Sequence, residues 1–90
     1  MNSTSVSIRP LSAMSISEIA RMIRRNWPKV YFGAVPYLNA MAQMDKVTDS
    51  YGCDSGTEIV NYFLANASTW KGDVAREVKK ELNKRVKAAR

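Results

Sequence analysis

Lysine and arginine total 14 in this 90-residue chain against eight Asp and Glu, and there is no histidine. The cations gather in two clusters, Arg21, Arg24, Arg25 and Lys29 in the first third, and Lys79, Lys80, Lys84, Arg85 and Lys87 near the end. Side chains of this kind in groups do the chemistry of anion recognition, holding phosphate or carboxylate through charge-assisted hydrogen bonds. Between them lies an acidic stretch, residues 45–58, with Asp45, Asp49, Asp54 and Glu58 against a single Lys46. Its spacing is not that of the calcium-binding EF-hand loop, so no metal site is expected. The acids are instead expected to cap helix starts or to pair with the arginines.

The residues of catalysis are scarce. Without histidine the chain lacks the usual general base near neutral pH and the commonest transition-metal ligand. No Ser/His arrangement and no glycine-rich phosphate loop is present, and the carboxylates of the last third sit among lysines, where neither burial nor crowding raises a pKa. Cys53 is the only cysteine, so no intrachain disulfide or cysteine-rich zinc site can form. A following helix dipole would lower its pKa, but no base stands beside it, and a structural or incidental role is expected. We therefore expect no enzyme, no catalytic residue and no cofactor.

What elements position the charges? Ser15-Ile16-Ser17-Glu18 and Ser55-Gly56-Thr57-Glu58 are both capping boxes, in which the serine hydroxyl and the glutamate carboxylate satisfy each other's backbone amides. From the first, Ile16, Ile19, Ala20, Ile23 and Trp27 share one helix face and the arginines lie opposite, with Pro28 forcing an end near Trp27. From the second, Ile59, Val60, Phe63, Leu64 and Ala67 form one broad apolar sector, with Tyr62 on its flank. Each large side chain buried there is worth roughly 1.5 to 3 kcal/mol before entropy. Pro36 suits the first turn of a further helix running to about Lys46, preceded by an irregular or one-turn connector between Pro28 and Pro36. A last helix begins near Trp70 to Asp73. There the spacing of four from Trp70 through Val74, Val78 and Leu82 to Val86 winds slowly around the surface, so the N-terminal half should pack and the end beyond Leu82 should fray or project.

The sum is a small all-α bundle of four helices near 15–27, 36–46, 56–67 and 71–88, one domain over 15–90 behind a flexible tail over 1–14. Met14 immediately precedes the first capping box, so a product starting there would keep the whole domain. No apolar run approaches the 18 or so residues of a membrane span, and the N-terminus lacks a signal-peptide core. Neither secretion nor insertion is expected, and the cytoplasm is the expected location.

Binding is what remains. The cations Arg21, Arg24, Arg25, Lys79, Lys80 and Lys84 are the expected partner contacts. One reading is a backbone-directed nucleic-acid binder, though the long loop between the second and third helices does not suit a helix-turn-helix. Another is protein binding through Trp27, Tyr31, Phe32, Tyr37, Tyr51 and Trp70, some of which a small core must leave exposed. A homo-oligomer would bury the same residues.

The pattern SISEIA over 15–20, Trp27, Ala34-Val35-Pro36-Tyr37-Leu38 with Ala40-Met41, Tyr51-Gly52-Cys53-Asp54-Ser55-Gly56, Tyr62-Phe63-Leu64-Ala65-Asn66-Ala67 and Trp70-Lys71-Gly72 resembles small proteins carried by bacteriophages and mobile elements. The resemblance spans about residues 15–84. It implies an accessory gene product, and for products of this size an inhibitor of host defence, anti-CRISPR-like, that docks on a host nuclease or nucleoprotein. It carries over no site residues. A nonspecific DNA- or RNA-binding accessory protein and a phage assembly oligomer stay open beside it.

Overall fold

Both capping boxes form. The Ser15 hydroxyl accepts from the Glu18 amide at 3.1 Å while the Glu18 carboxylate accepts from the Ser15 amide at 2.8 Å. At Ser55 and Glu58 the same two bonds measure 3.3 and 3.2 Å. They start α1 (Ile16–Asn26) and α3 (Gly56–Ala65). Between these lie a 3-10 turn, Phe32–Ala34, and α2 (Val35–Met41), and the chain closes with α4 (Asp73–Ala88). The structure, a computed structural model, describes residues 10–51 and 54–89, without the side chains of 50, 51 and 54. Most of the expected N-terminal tail, residues 1–9, thus lies outside the described residues, as does Cys53.

The all-α bundle expected from the sequence is the fold observed. A two-residue antiparallel pairing is added, β1 (Ser50–Tyr51) with β2 (Asp54–Ser55), in the register Ser50 opposite Ser55 and Tyr51 opposite Asp54. Among the described residues no helix is long and apolar enough to cross a membrane.

Three details depart from expectation, each for a tertiary reason. First, α2 stops at Met41 instead of Lys46. The carbonyls of Met44 and Asp45 turn away to accept from the amides of Ser17 (2.8 Å) and Ile16 (2.9 Å). Those amides open α1 and have no acceptor within their own helix. The same loop grips α3, since the Gly56 amide donates to the Asp49 carbonyl at 2.7 Å. A Cβ on Gly56 would fall onto the carbonyl oxygen of Val47.

Second, α4 packs along its whole length. Ala75, Val78, Leu82 and Val86 are buried, and it is Val74, near the start, that is exposed. Each step of four residues turns about 40° around the helix, so a stripe of that spacing cannot stay on one face. Alanine at position 75 takes the place at the core that Val74 leaves. Gly72 precedes this helix with φ +114°, a conformation that favours glycine, and open space surrounds its absent Cβ. Backbone geometry alone requires glycine there.

Third, Leu11–Ala13 form a 3-10 turn, with Leu11 packed against the core. The Leu11 carbonyl accepts from the Arg85 guanidinium at 2.9 Å. This contact holds the C-terminal half of α4, where fraying was expected.

One aromatic cluster joins the helices at the far end. Trp27 and Trp70 stack at 5.8 Å with planes 11° apart, and Phe63 meets the Trp27 ring edge-on at 6.3 Å. The Trp70 indole N–H donates to the Asn26 side chain at 2.9 Å, satisfying its one polar group. All three rings are buried. We expect Trp27→Ala to cost about 3 to 5 kcal/mol, a large share of the roughly 5 to 15 kcal/mol available to such a domain. Urea unfolding would measure this, and a loss under about 1 kcal/mol would show that the stack is not a keystone.

Candidate functional site

The core consumes both tryptophans and leaves other aromatics outside it. After Trp27 the turn at Pro28 and Lys29 carries the chain off the bundle, and the next buried residue is Ala34. Tyr31 and Phe32 fall in the gap, 43% and 79% exposed, with ring centroids 4.8 Å apart. Beside them, Tyr37 of α2 meets Tyr62 of α3 at 5.3 Å, and Tyr62 is 47% exposed. Asn66 connects the two pairs. Its amide nitrogen donates to the Tyr62 carbonyl at 2.8 Å, while its side-chain oxygen lies over Gly33 next to the Tyr31 ring.

Of the four large hydrophobic side chains exposed among the described residues, three belong to this patch, the fourth being Val74. Scattered exposed apolar residues are ordinary, whereas a cluster marks an interaction surface. Sequence reasoning had Tyr31, Phe32 and Tyr37 as candidate anchors but missed Tyr62. Its position on the flank of the α3 apolar sector was the available signal. Trp27 and Trp70 leave the candidate set because they are core, and the Tyr51 side chain lies outside the described residues.

The expected cationic contacts separate into groups with different duties. Arg21 and Arg25 are exposed on α1, while Arg24 donates to the Asn39 side chain of α2. On α4, Lys79 is half-buried, donates to the Trp70 carbonyl at 2.7 Å and lies 5.9 Å from the centre of that ring. Burial, and then the charge of Lys71, push its pKa down. Lys79 therefore belongs to the aromatic cluster as a structural cation. Lys80 and Lys84 are exposed. Arg24 reaches toward α2, while α4 approaches α1 beside Met22, which shares a small apolar groove with Val74, Glu77 and Val78. Positions 22 and 24 point about 160° apart around a helix, so Arg24 faces away from α4.

An open groove of about 610 Å³ lies between Ser12–Ser15, the 45–48 loop and the end of α4. Two of its charged groups already serve the fold. Glu18 caps α1, and Arg85 is divided between the Glu81 carboxylate at 2.7 Å and the Leu11 carbonyl. Its other charged groups are Asp45 and Lys46, one of each sign.

In the acidic stretch Glu58 caps a helix start as expected, whereas Asp49 ties the loop itself together. The Asp49 carboxylate accepts from the amides of Lys46 and Asp45, both at 3.0 Å. Those two bonds, the Lys46 one foremost, hold its pKa below the usual carboxylate value. Among the described residues no three Asp, Glu or Cys side chains come together as a metal-binding group.

A carboxylate with a lowered folded-state pKa stabilises the fold above its unfolded pKa, and that contribution disappears as pH falls through the folded value. Asp49→Ala should therefore be less stable than the parent at neutral pH, with the difference closing in acid. Urea midpoints of both proteins from about pH 7 to about pH 2 would check this; a pH-independent difference would remove the Asp49 charge from the account. No protein-family model, curated protein or solved structure matches this chain, so the surface is read from its own chemistry.

Proposed function

We propose that the protein acts by stoichiometric, non-enzymatic binding to another protein, with Tyr31 and Phe32 as the anchor and Tyr37 and Tyr62 as its shoulder. The observation that carries this reading is the 79% exposure of Phe32 beside a half-exposed tyrosine, in a domain that buries both of its tryptophans. Rigid aromatic side chains of this kind supply large contact area at low entropic cost and dominate interface energies.

Charge supports a particular chemistry for the partner. Residues 19–44, which contain Tyr31, Phe32 and Tyr37, include Arg21, Arg24, Arg25 and Lys29 and no acid at all. The patch therefore suits an apolar pocket on an acidic protein surface. Its cations would raise the association rate and fix orientation more than they would add affinity. The arginines remain in the proposal as this rim. The narrower form, an anti-CRISPR-like inhibitor of mobile-element origin docking on a host nuclease or nucleoprotein in the bacterial cytoplasm, draws its support from the resemblance of the 15–84 pattern.

The test uses the whole chain with a photo-crosslinking amino acid at position 32, expressed in a bacterial host, and then the purified captured protein titrated calorimetrically. The expected result is one dominant crosslinked host protein that binds in 1:1 ratio. The double variant Tyr31→Ala with Phe32→Ala should bind it at least about 30-fold more weakly, corresponding to about 2 kcal/mol at a hot spot. Unfolding stability should change by no more than about 0.5 kcal/mol, as for exposed positions. Crosslinks only between copies of this chain, or unchanged affinity in the double variant, would overturn the reading.

A further inference from the structure

The lysines of α4 carry a second inference, independent of the aromatic patch. Of the five cations clustered at the end of the sequence, two have partners in the fold. Lys79 is tied to the Trp70 carbonyl, and Arg85 to Glu81 and Leu11. The remaining three, Lys80, Lys84 and Lys87, are exposed and line one shallow groove together with Asn83. None of the three has a hydrogen-bond or ion-pair partner among the described residues; of the acids on α4, Asp73 and Glu81 are taken by Arg76 and Arg85, and Glu77 stands one turn before Lys80.

Spaced four and three residues apart, they form a row roughly 10 Å long on the side of α4 opposite Ala75, Val78, Leu82 and Val86. We propose that this row is a docking site for the phosphate backbone of nucleic acid. Charge alone is on offer there: the groove lining has no aromatic or branched apolar residue. Protein interfaces need an apolar centre, and an amphipathic helix lying on a membrane needs an apolar face to insert. A phosphate backbone needs only cations and donors, and lysine supplies mobile point charges without demanding one geometry. The site reads no base sequence. The row lies on a different helix from the aromatic patch.

The test is fluorescence anisotropy of a labelled duplex and a labelled single strand of mixed sequence, titrated with the whole protein over a series of salt concentrations. Wild type should bind both, and for the duplex log K should fall against log salt with a slope of about −2.7, as for three phosphates neutralised. Lys80→Gln with Lys84→Gln and Lys87→Gln should lower affinity at low salt by at least about tenfold and flatten that slope toward zero. Tyr31→Ala with Phe32→Ala should leave both quantities unchanged, which separates this site from the protein-binding surface. Circular dichroism establishes that each variant is folded, and Lys→Arg at all three positions, which keeps the charge, should retain binding. No binding at low salt, binding unaffected by the triple Gln change, or capture by anionic phospholipid vesicles in preference to either nucleic acid would overturn the proposal.

Discussion

Trp27 lying flat against Trp70 is the contact on which the rest of this molecule depends. It fastens the end of α1 to the chain entering α4, and Phe63 brings α3 to the same point. Asn26 and Lys79 are recruited to satisfy the indole N–H and the carbonyl of Trp70. Because Trp27 is the last residue before a proline, its burial also decides where the chain leaves the core. Pro28 and Lys29 turn outward, and Tyr31 and Phe32 follow before Ala34 returns inside. The stability of the bundle and the exposure of its aromatic patch thus share one cause.

At the opposite end the 44–49 loop plays the corresponding part for polar groups. Helix starts present amides with no acceptor in their own helix, and burying them unpaired would cost about 1 to 3 kcal/mol each. This loop supplies main-chain carbonyls to Ile16, Ser17 and Gly56, and Asp49 in turn organises the loop by accepting from Asp45 and Lys46. The acidic segment is therefore engaged in holding two helices in register. Cap and core are coupled, since the same loop places Met44 and Val47 in the buried set.

What the sequence revealed and what it concealed divide along the range of the interactions. Capping boxes at Ser15 and Ser55 and the proline at the start of α2 depend on residues within a turn of one another, and each is present as expected. The end of α2 was not legible, because the donors that draw the Met44 and Asp45 carbonyls out of the helix are α1 amides nearly 30 residues earlier in the chain. Nor was the burial of Val86, which depends on how α4 rotates against its neighbours and on Arg85 reaching Leu11. The cations show the same division most clearly. Lys79, Lys80 and Lys84 are equivalent in a list of charges, and only the position of Trp70 distinguishes the structural one from the other two. Tyr62 was hidden by its company, since it lies within the most apolar helix and yet stands nearly half out of it.

The central claim is that recognition is carried by the aromatics which the core excludes, while the tryptophan cluster stays as it is. Amide chemical-shift mapping of the isotopically labelled protein, titrated with the protein captured at position 32, tests both halves at once. The account predicts perturbations concentrated at 30–37 and around Tyr62 and Asn66, with the side-chain resonances of Trp27 and Trp70 unmoved. Perturbations centred on the groove between Ser12–Ser15 and the end of α4, or a general shift of the indole resonances, would contradict it.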